Sequence, residues 1–138
     1  GSPGAAKAIG TGMFIEPTIF TDVTPDMEIW REEVFGPVLA ITRFDDEAEV
    51  VRAANDSPYG LAAGVWTMNI QRGHRTAKRL KSGTVYINAY RIVSAASPVG
   101  GYKQSGFGRE NGHEAIAEYT QIKSVWVGLE AIASNPLG

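Results

Sequence analysis

The sequence predicts an α/β fold, in which helices flank a mostly parallel sheet. Short apolar runs alternate with segments of helical periodicity, polar caps precede the helical segments, and glycine or proline ends most elements. The order strand, helix, strand, helix, strand is the one that builds parallel pairs through right-handed crossovers.

The N-terminal part contains two predicted strands and one helical turn. Met13–Phe20 is strand-like, and its Pro17 suits an edge or a bulge. A short helical turn is expected within 22–33, starting near Pro25. Val38–Phe44 is a nearly continuous apolar run, which is typical of a strand covered on both faces.

The first full helix is predicted directly after this run. Asp45 and Asp46 are candidate N-caps, and the acidic residues of the first turn favour the positive end of the helix dipole. The helix should stop before Ser57-Pro58, because the residue before a proline disfavours helical geometry. Leu61–Thr67 is the next predicted strand.

A second helix is expected to begin at Asn69 and to reach about Leu80. Gly83 is expected to close it, since glycine tolerates the backbone conformations that end helices. Thr84–Ala89 is then predicted as a strand.

The last third is richer in turns. A long loop spans 90–110, Asn111–Tyr119 is expected to form a short helix, and Thr120–Val127 is predicted as a terminal strand. Within the preceding strand, Val85 and Ile87 should lie on one face, because side chains alternate along a strand.

Composition describes an ordinary globular chain of 138 residues, with 43% hydrophobic and 20% charged residues. The formal net charge is −2, so no general attraction to nucleic acid or to an anionic membrane is expected. No run approaches the roughly 20 apolar residues that a membrane span requires. We therefore expect neither nucleic acid nor membrane as a partner.

The chain contains no cysteine, which excludes disulfides, thiolate zinc sites and thiol catalysis within it. His74 and His113 have no companion ligands or triad partners in the sequence. The chain is therefore expected to hold no metal site and no catalytic residue of its own.

The segment 31–37 reads Arg-Glu-Glu-Val-Phe-Gly-Pro. On residue types alone it is a helix end with solvated acids, one buried aromatic and a Gly-Pro break. A carboxylate can also accept both hydroxyl protons of a cis-diol, and Glu33 stands two positions before the rigid apolar ring of Phe35. The residues by themselves leave both interpretations open.

The glycine-rich segment 100–112 does not match a phosphate-binding loop. A P-loop needs Lys-Ser or Lys-Thr after its last glycine, but Gly106 is followed by Phe107. A dinucleotide fingerprint, G-x-G-x-x-G, has two residues between its last two glycines, whereas three residues separate Gly108 from Gly112. The segment is therefore predicted to be a tight structural loop.

Two basic residues of this loop, Lys103 and Arg109, are available to donate hydrogen bonds to backbone carbonyls. The residues of this loop alone do not indicate catalysis.

Together, segments 31–37 and 100–112 resemble the C-terminal signature of NAD(P)-dependent aldehyde dehydrogenases. The family pattern Gly-Gly-x-Lys-x-Ser-Gly-x-Gly-Arg-Glu-x-Gly is matched at every fixed position of 100–112. The resemblance covers residues 12–128. It implies that 13–119 are the C-terminal part of the catalytic domain and that 120–129 form an oligomerisation strand. Residues 1–12 are then a flexible lead-in, in which Gly1-Ser2 is compatible with a tag remnant, and 130–138 are a tail.

The resemblance also implies cofactor-binding roles. Glu33 corresponds to the acid that accepts hydrogen bonds from the nicotinamide ribose hydroxyls, and Phe35 to the aromatic that packs against the ribose and nicotinamide. NAD or NADP is implied for the intact enzyme, and no cofactor is expected on this chain alone. The family's nucleophilic cysteine, general base and dinucleotide-binding fold are missing from these residues, so the chain alone is expected to be inactive.

The resemblance places the aldehyde tunnel beside 88–99, with Val93 and Val99 as the expected substrate-binding residues. Many family members have aromatic residues in this loop, so aliphatic side chains predict a wider pocket, or one with little π-surface for a quaternary ammonium. A cytoplasmic homo-oligomer that assembles through Thr120–Val127 is implied, with an aldehyde and the rest of the enzyme chain as the other partners.

Two alternatives accompany this prediction. One is a free-standing, non-catalytic module that assembles through its last strand. The other is nucleic-acid binding through 72–81, which contains five basic residues. Without interleaved aromatic residues, the basic segment is better interpreted as a solvated helix face.

Overall fold

The computed structural model describes residues 14–129. The predicted lead-in (1–12), Met13 and the predicted tail (130–138) lie outside the described residues.

The described residues confirm the α/β class. Strands and helices alternate through most of the chain, and short 3-10 helices replace longer ones near its end. The elements are β1 (Thr18–Phe20), α1 (Glu28–Arg31), β2 (Val38–Ala40), α2 (Glu47–Asn55), β3 (Ala62–Val65), α3 (Ile70–Arg79), β4 (Thr84–Ile87) and two 3-10 helices, Lys103–Ser105 and Glu114–Tyr119. None of the helices within 14–129 is long and apolar enough to cross a bilayer.

The strands form two parallel pairs rather than one continuous sheet. β1 pairs with β2, with Thr18 opposite Val38, and β3 pairs with β4, with Ala62 opposite Thr84. The predicted parallel pairing is confirmed, and it is divided between two sheets. The connection that follows α2 is tied to the glycine-rich loop and to the start of β4, which sets β3 beside β4 rather than beside β2.

Both predicted helix starts are confirmed. The Asp46 carboxylate accepts a hydrogen bond from the Ala48 amide at 2.7 Å, and the Asn69 side-chain oxygen accepts one from the Arg72 amide at 2.9 Å. Each bond satisfies an amide that has no partner within its helix. α2 also ends before Ser57, as predicted.

Helix α3 packs closely on one face of the β3–β4 pair. Gly73 is buried in the helix, and a Cβ added to it would lie 2.9 Å from Cγ2 of Ile87 and 3.4 Å from Cγ2 of Thr67. Ile87 therefore faces the helix, as the alternation in β4 predicts. The small residue allows the helix backbone to approach the sheet.

Helices α2 and α3 are joined through one carboxylate. Glu47 lies 3.4 Å from Arg72 and 3.5 Å from both Arg75 and Arg79. The buried hydroxyl of Thr76 adds a hydrogen bond to the same carboxylate at 3.3 Å. Three guanidinium groups of the basic segment thus face an acid of the same chain, which supports the solvated-face interpretation.

Gly83 does not close α3, contrary to the sequence prediction. The helix ends at Arg79 with Leu80 as its C-cap, and Gly83 instead donates a hydrogen bond to the Gly60 carbonyl at 3.0 Å. A Cβ on Gly83 would overlap the carbonyl oxygen of Gly100. A glycine is required here because two backbone segments meet without space for a side chain.

The chain by itself is open. It exposes 12007 Å² of accessible surface, against about 7000 Å² for a compact protein of this mass. Among the hydrophobic side chains of 14–129, only those of Val23 and Val51 are buried. Leu39 of β2 is exposed, so the predicted cover on both faces of that strand is wrong within this chain.

The predicted terminal strand is not formed within the chain. Segment 120–129 has no strand assignment, and Trp126 in it is 92% exposed. A strand requires a hydrogen-bonded partner, and the described residues provide none for this segment.

We expect Gly83→Ala to lower the free energy of unfolding by about 3 kcal/mol or more, because the new methyl group would overlap the Gly100 carbonyl. Gly128→Ala is the matched control, since a Cβ there meets no atom within 4 Å. Urea titration of both variants measures the difference. Equal midpoints would show that the backbone contact at Gly83 is not a constraint.

Candidate functional site

The segment that carries Glu33 is positioned by a hydrogen-bonded turn. Arg31, at the end of α1, donates from Nε to the Pro25 carbonyl at 3.0 Å and from Nη2 to the Asp26 carbonyl at 3.2 Å. These bonds fold the chain back on the start of the turn. As a result, residues 32–37 leave the helix in a fixed direction.

Asp26 stabilises the same turn. Its carboxylate accepts a hydrogen bond from the Thr24 hydroxyl at 2.6 Å, and this bond, with a backbone hydrogen bond and the charge of Arg31, holds the pKa of Asp26 below its ordinary value. Because the pKa of Asp26 is lower in the folded state than in the unfolded state, its ionised carboxylate stabilises the fold at pH values above the unfolded-state pKa. This stabilisation is lost as the pH falls through the folded-state pKa.

Glu33 lies on the wall of a cavity of about 400 Å³, the cofactor-side cavity. One wall is formed by Trp30 to Glu33, and another by the connection from Ser57 to Ala63. The carboxylate is exposed. It is therefore available to accept hydrogen bonds from a ligand that enters the cavity.

Phe35 projects away from the chain and is 93% exposed. The purely structural interpretation of segment 31–37 required a buried aromatic, and the ring is not buried within this chain. An exposed phenyl ring two residues after an exposed carboxylate is an arrangement that a nucleoside sugar and its base can contact together.

Val93 and Val99 both line a second cavity of about 470 Å³, the aldehyde-side cavity. Aromatic side chains of Trp66, Tyr86 and Tyr90 also line it. The expectation of little π-surface is therefore wrong. These aromatic residues come from the ends of β3 and β4 and the start of the loop, whereas the prediction considered only the loop positions that are aromatic in many family members.

The two cavities share one wall. Residues 61–63, at the start of β3, line both the cofactor-side cavity and the aldehyde-side cavity. The predicted acid and the two predicted valines, far apart in sequence, are thus brought to neighbouring cavities.

Lys103 fixes the connection that leads to the shared wall. Its ammonium group donates to the carbonyls of Asn55 and Ser57, both at 2.8 Å. The prediction that Lys103 bonds backbone carbonyls is confirmed. Asn55 is the last residue of α2 and Ser57 lies just beyond it, at the end of the helix where a positive charge is favourable.

Gly60 is the meeting point of three segments. Its amide donates to the Ser105 hydroxyl at 3.0 Å, and its carbonyl accepts from the amides of Gly83 at 3.0 Å and Tyr102 at 2.9 Å. The glycine-rich loop, the start of β4 and the wall between the cavities are therefore held as one unit.

Arg109 closes the glycine-rich loop on itself, as predicted. Its Nη1 donates to the carbonyls of Gly108 at 2.6 Å and Gly101 at 3.1 Å, and its guanidinium lies 5.5 Å from the centre of the Tyr102 ring. Glu110 and Val99 exchange two backbone hydrogen bonds of 2.7 Å. The loop thus fixes the position of Val99 on the aldehyde-side cavity.

Two asparagines that the sequence analysis passed over also position the site. Asn88 bonds both the amide and the carbonyl of Thr67, at 2.8 and 2.9 Å, which ties the ends of β3 and β4 together. Asn55 links the ends of α2 and α3 by accepting from the Lys81 amide and donating to the Arg79 carbonyl, both at 2.8 Å. The positive φ of 51° at Asn88 suits asparagine, but only its tertiary partner shows its role.

No group of three or more histidine, aspartate or glutamate side chains within 14–129 is arranged to hold a metal ion.

Comparison with known proteins identifies the family. The model of the aldehyde dehydrogenase family matches residues 1–125. The chain belongs to this family. The signature at 100–112 lies within the matched residues.

The aldehyde dehydrogenases that resemble this chain are much longer than it. A betaine aldehyde dehydrogenase of Brucella anthropi is 58% identical over 123 residues, a match that covers 89% of this chain and 25% of the relative. The NAD+ complex of an aldehyde dehydrogenase from Bacillus cereus is 56% identical with a TM-score of 0.82, covering 90% of this chain and 25% of that one.

An indole-3-acetaldehyde dehydrogenase of P. syringae, in complex with NAD+ and IAA, is 47% identical with a TM-score of 0.79, and the match covers 84% of this chain and 23% of that one. The chain spans about a quarter of the length of the curated relatives it matches.

We expect Lys103→Met to lower the free energy of unfolding by about 2 kcal/mol, because two charge-assisted hydrogen bonds to carbonyls are lost. Lys78→Met is the matched control, since Lys78 makes no side-chain hydrogen bond to any residue of 14–129. Thermal unfolding of the two variants compares them. A Lys103 variant as stable as the Lys78 variant would contradict this role.

Proposed function

We propose that this chain is the C-terminal part of an enzyme that oxidises an aldehyde to a carboxylic acid with NAD(P)+. The observation that carries the proposal is the shared wall at 61–63, which brings the cavity lined by Glu33 next to the cavity lined by Val93 and Val99. Hydride transfer requires a short, direct path between cofactor and substrate, and the common lining at 61–63 supports the proposal because it places the two binding surfaces close together in the chain.

The residues present fit a nicotinamide ribose. The Glu33 carboxylate is an acceptor-only group on an open cavity wall, and it would hold the two ribose hydroxyls. The exposed ring of Phe35 would cover the apolar face of the ribose and nicotinamide. NAD(P)+ itself supplies the hydride acceptor, and these two residues would orient it.

The protein's part in this reaction is positioning. Hydride transfer requires a short, aligned path, so small displacements of either partner cost rate. Lys103 and Ser105 hold the wall between the cavities, and the backbone pairing of Val99 with Glu110 holds the aldehyde side. The nucleophilic thiol and the general base would be supplied from outside these 138 residues, since the chain has no cysteine.

Two findings support the assignment to a larger enzyme. The chain exposes far more surface than a compact protein of its mass. The NAD+ complex of the Bacillus cereus aldehyde dehydrogenase contains a quarter that matches this chain at 56% identity. The open faces of the chain are then the faces that the remaining three quarters would cover.

Assembly into a homo-oligomer is proposed through Thr120–Val127. The segment is unpaired within the chain, and Val125, Trp126 and Val127 are exposed. An exposed apolar segment with free backbone groups is stabilised when it pairs with another strand. The cytoplasmic location expected for the enzyme stays a prediction.

The alternative, a free-standing assembly module, would use the same segment without catalysis. It requires the short chain to fold and associate by itself. The small number of buried side chains favours the fragment over the module, because a self-sufficient domain of this length buries a substantial core.

The isolated chain should reduce no NAD(P)+ with any aldehyde, and it should bind a dye specific for exposed apolar surface. Absorbance at the NAD(P)H band, dye fluorescence and size-exclusion chromatography provide the readouts. Turnover by a preparation whose mass shows only these residues would overturn the assignment. A monodisperse oligomer that does not bind the dye would favour the module.

In the intact enzyme, Glu33→Gln should weaken cofactor use, lowering kcat/KM for NAD(P)+ by about tenfold to a hundredfold, since a charged acceptor of two hydroxyl bonds becomes neutral. Glu28→Gln is the matched control, because Glu28 is an exposed acid in α1 that lines neither cavity. Initial rates at varied cofactor concentration separate the two. Equal effects of the two changes would remove the assigned role of Glu33.

A further inference from the structure

The wall of the aldehyde-side cavity carries one charged side chain among the described residues, Arg91. The rest of the lining is apolar, aromatic or hydroxyl-bearing. Arg91 is exposed at the cavity wall, and a single charge among apolar residues is the feature that most strongly determines which ligands are oriented there.

The guanidinium of Arg91 has no carboxylate partner within 14–129. The ion pairs among these residues all involve Glu47, and no side-chain hydrogen bond of Arg91 to a described residue is formed. Its described contact is with the face of the neighbouring Tyr90 ring, 5.9 Å from the ring centre. The hydrogen-bond donors of the guanidinium thus remain available to a ligand.

Backbone preference does not account for an arginine at this position. Arg91 has a φ of 53°, in the left-handed region that asparagine, aspartate and glycine adopt more easily. A residue held in a sparsely populated conformation at a cavity wall motivates a functional explanation.

We propose that Arg91 selects aldehydes that carry a carboxylate or another anionic group. The inference rests on the proposed function, because it treats the cavity of Val93 and Val99 as the aldehyde site. A planar guanidinium binds a carboxylate through two parallel hydrogen bonds, which fixes the orientation of the substrate as well as adding affinity. The free donors of Arg91 meet that requirement.

The positive charge of Arg91 also disfavours aldehydes that carry a positive charge. The aromatic rings of Trp66, Tyr86 and Tyr90 would by themselves attract a quaternary ammonium group. Arg91 already lies over the Tyr90 ring and repels a second cation. Betaine aldehyde, which names the relative in Brucella anthropi, is therefore expected to be a poor substrate. A cavity of about 470 Å³ admits a small anionic aldehyde.

The test uses the intact enzyme that contains this chain, with three probes: succinic semialdehyde as the anion, butanal as a neutral aldehyde of equal carbon number, and betaine aldehyde as the cation. The measured quantity is the ratio of kcat/KM for succinic semialdehyde to kcat/KM for butanal. A ratio within one protein cancels any general loss of folded enzyme. We expect this ratio to exceed one in the unaltered enzyme. We also expect kcat/KM for betaine aldehyde to be lower than kcat/KM for succinic semialdehyde.

Arg91→Gln should lower this ratio by about twofold to fivefold, the effect of one exposed charge pair. Arg91→Lys should restore only part of it, because the positive charge is retained but the two parallel hydrogen bonds are lost. Arg52→Gln, on the exposed face of α2, is the matched control and should leave the ratio unchanged. Added salt should lower kcat/KM for the anionic probe more than for butanal.

The outcomes separate this inference from the proposed function. An enzyme that oxidises butanal but prefers betaine aldehyde, or whose ratio is the same in the Arg91→Gln variant, would overturn the inference and leave aldehyde oxidation standing. An intact enzyme that reduces no NAD(P)+ with any of these or other aldehydes would overturn both.

Discussion

The close meeting of backbone segments around Gly60 is the constraint on which the rest of the structure depends. Its amide and carbonyl bond the glycine-rich loop and the start of β4, and Lys103 ties that loop to the end of α2. No side chain fits where Gly83 passes Gly100. Gly100 of the family signature is therefore needed for packing, and that packing helps to form the shared wall of the two cavities.

The chain has the local order of a folded protein but not its core. Helix caps, turns and paired strands are formed through short-range hydrogen bonds, whereas few hydrophobic side chains are buried. Burial of apolar surface is the main stabilising term in folding, so the stability of this chain would depend strongly on what covers it. Membership of a family whose members are four times longer supplies a physical reason for that openness.

The charges of the chain fall into two groups with different consequences. Around Glu47, three arginines are engaged by a carboxylate of the same chain and join α2 to α3. Arg91, by contrast, lies on a cavity wall without a carboxylate partner among the described residues. Paired charges of the first kind organise the fold, and an unpaired charge of the second kind is available for recognition. Counting basic residues in the sequence does not separate the two.

The sequence by itself determined the features that depend on neighbouring residues: the caps at Asp46 and Asn69, the end of α2 before Ser57, and the family signature. It also indicated that Lys103 and Arg109 bond backbone carbonyls. Since the glycine-rich loop does not match a phosphate-binding loop, backbone carbonyls are the acceptors expected for these two donors. Only the tertiary structure decided the split into two parallel pairs, the packing role of Gly83 and the aromatic wall of the aldehyde-side cavity. These depend on which distant segments meet, and local residue preferences carry no information about that.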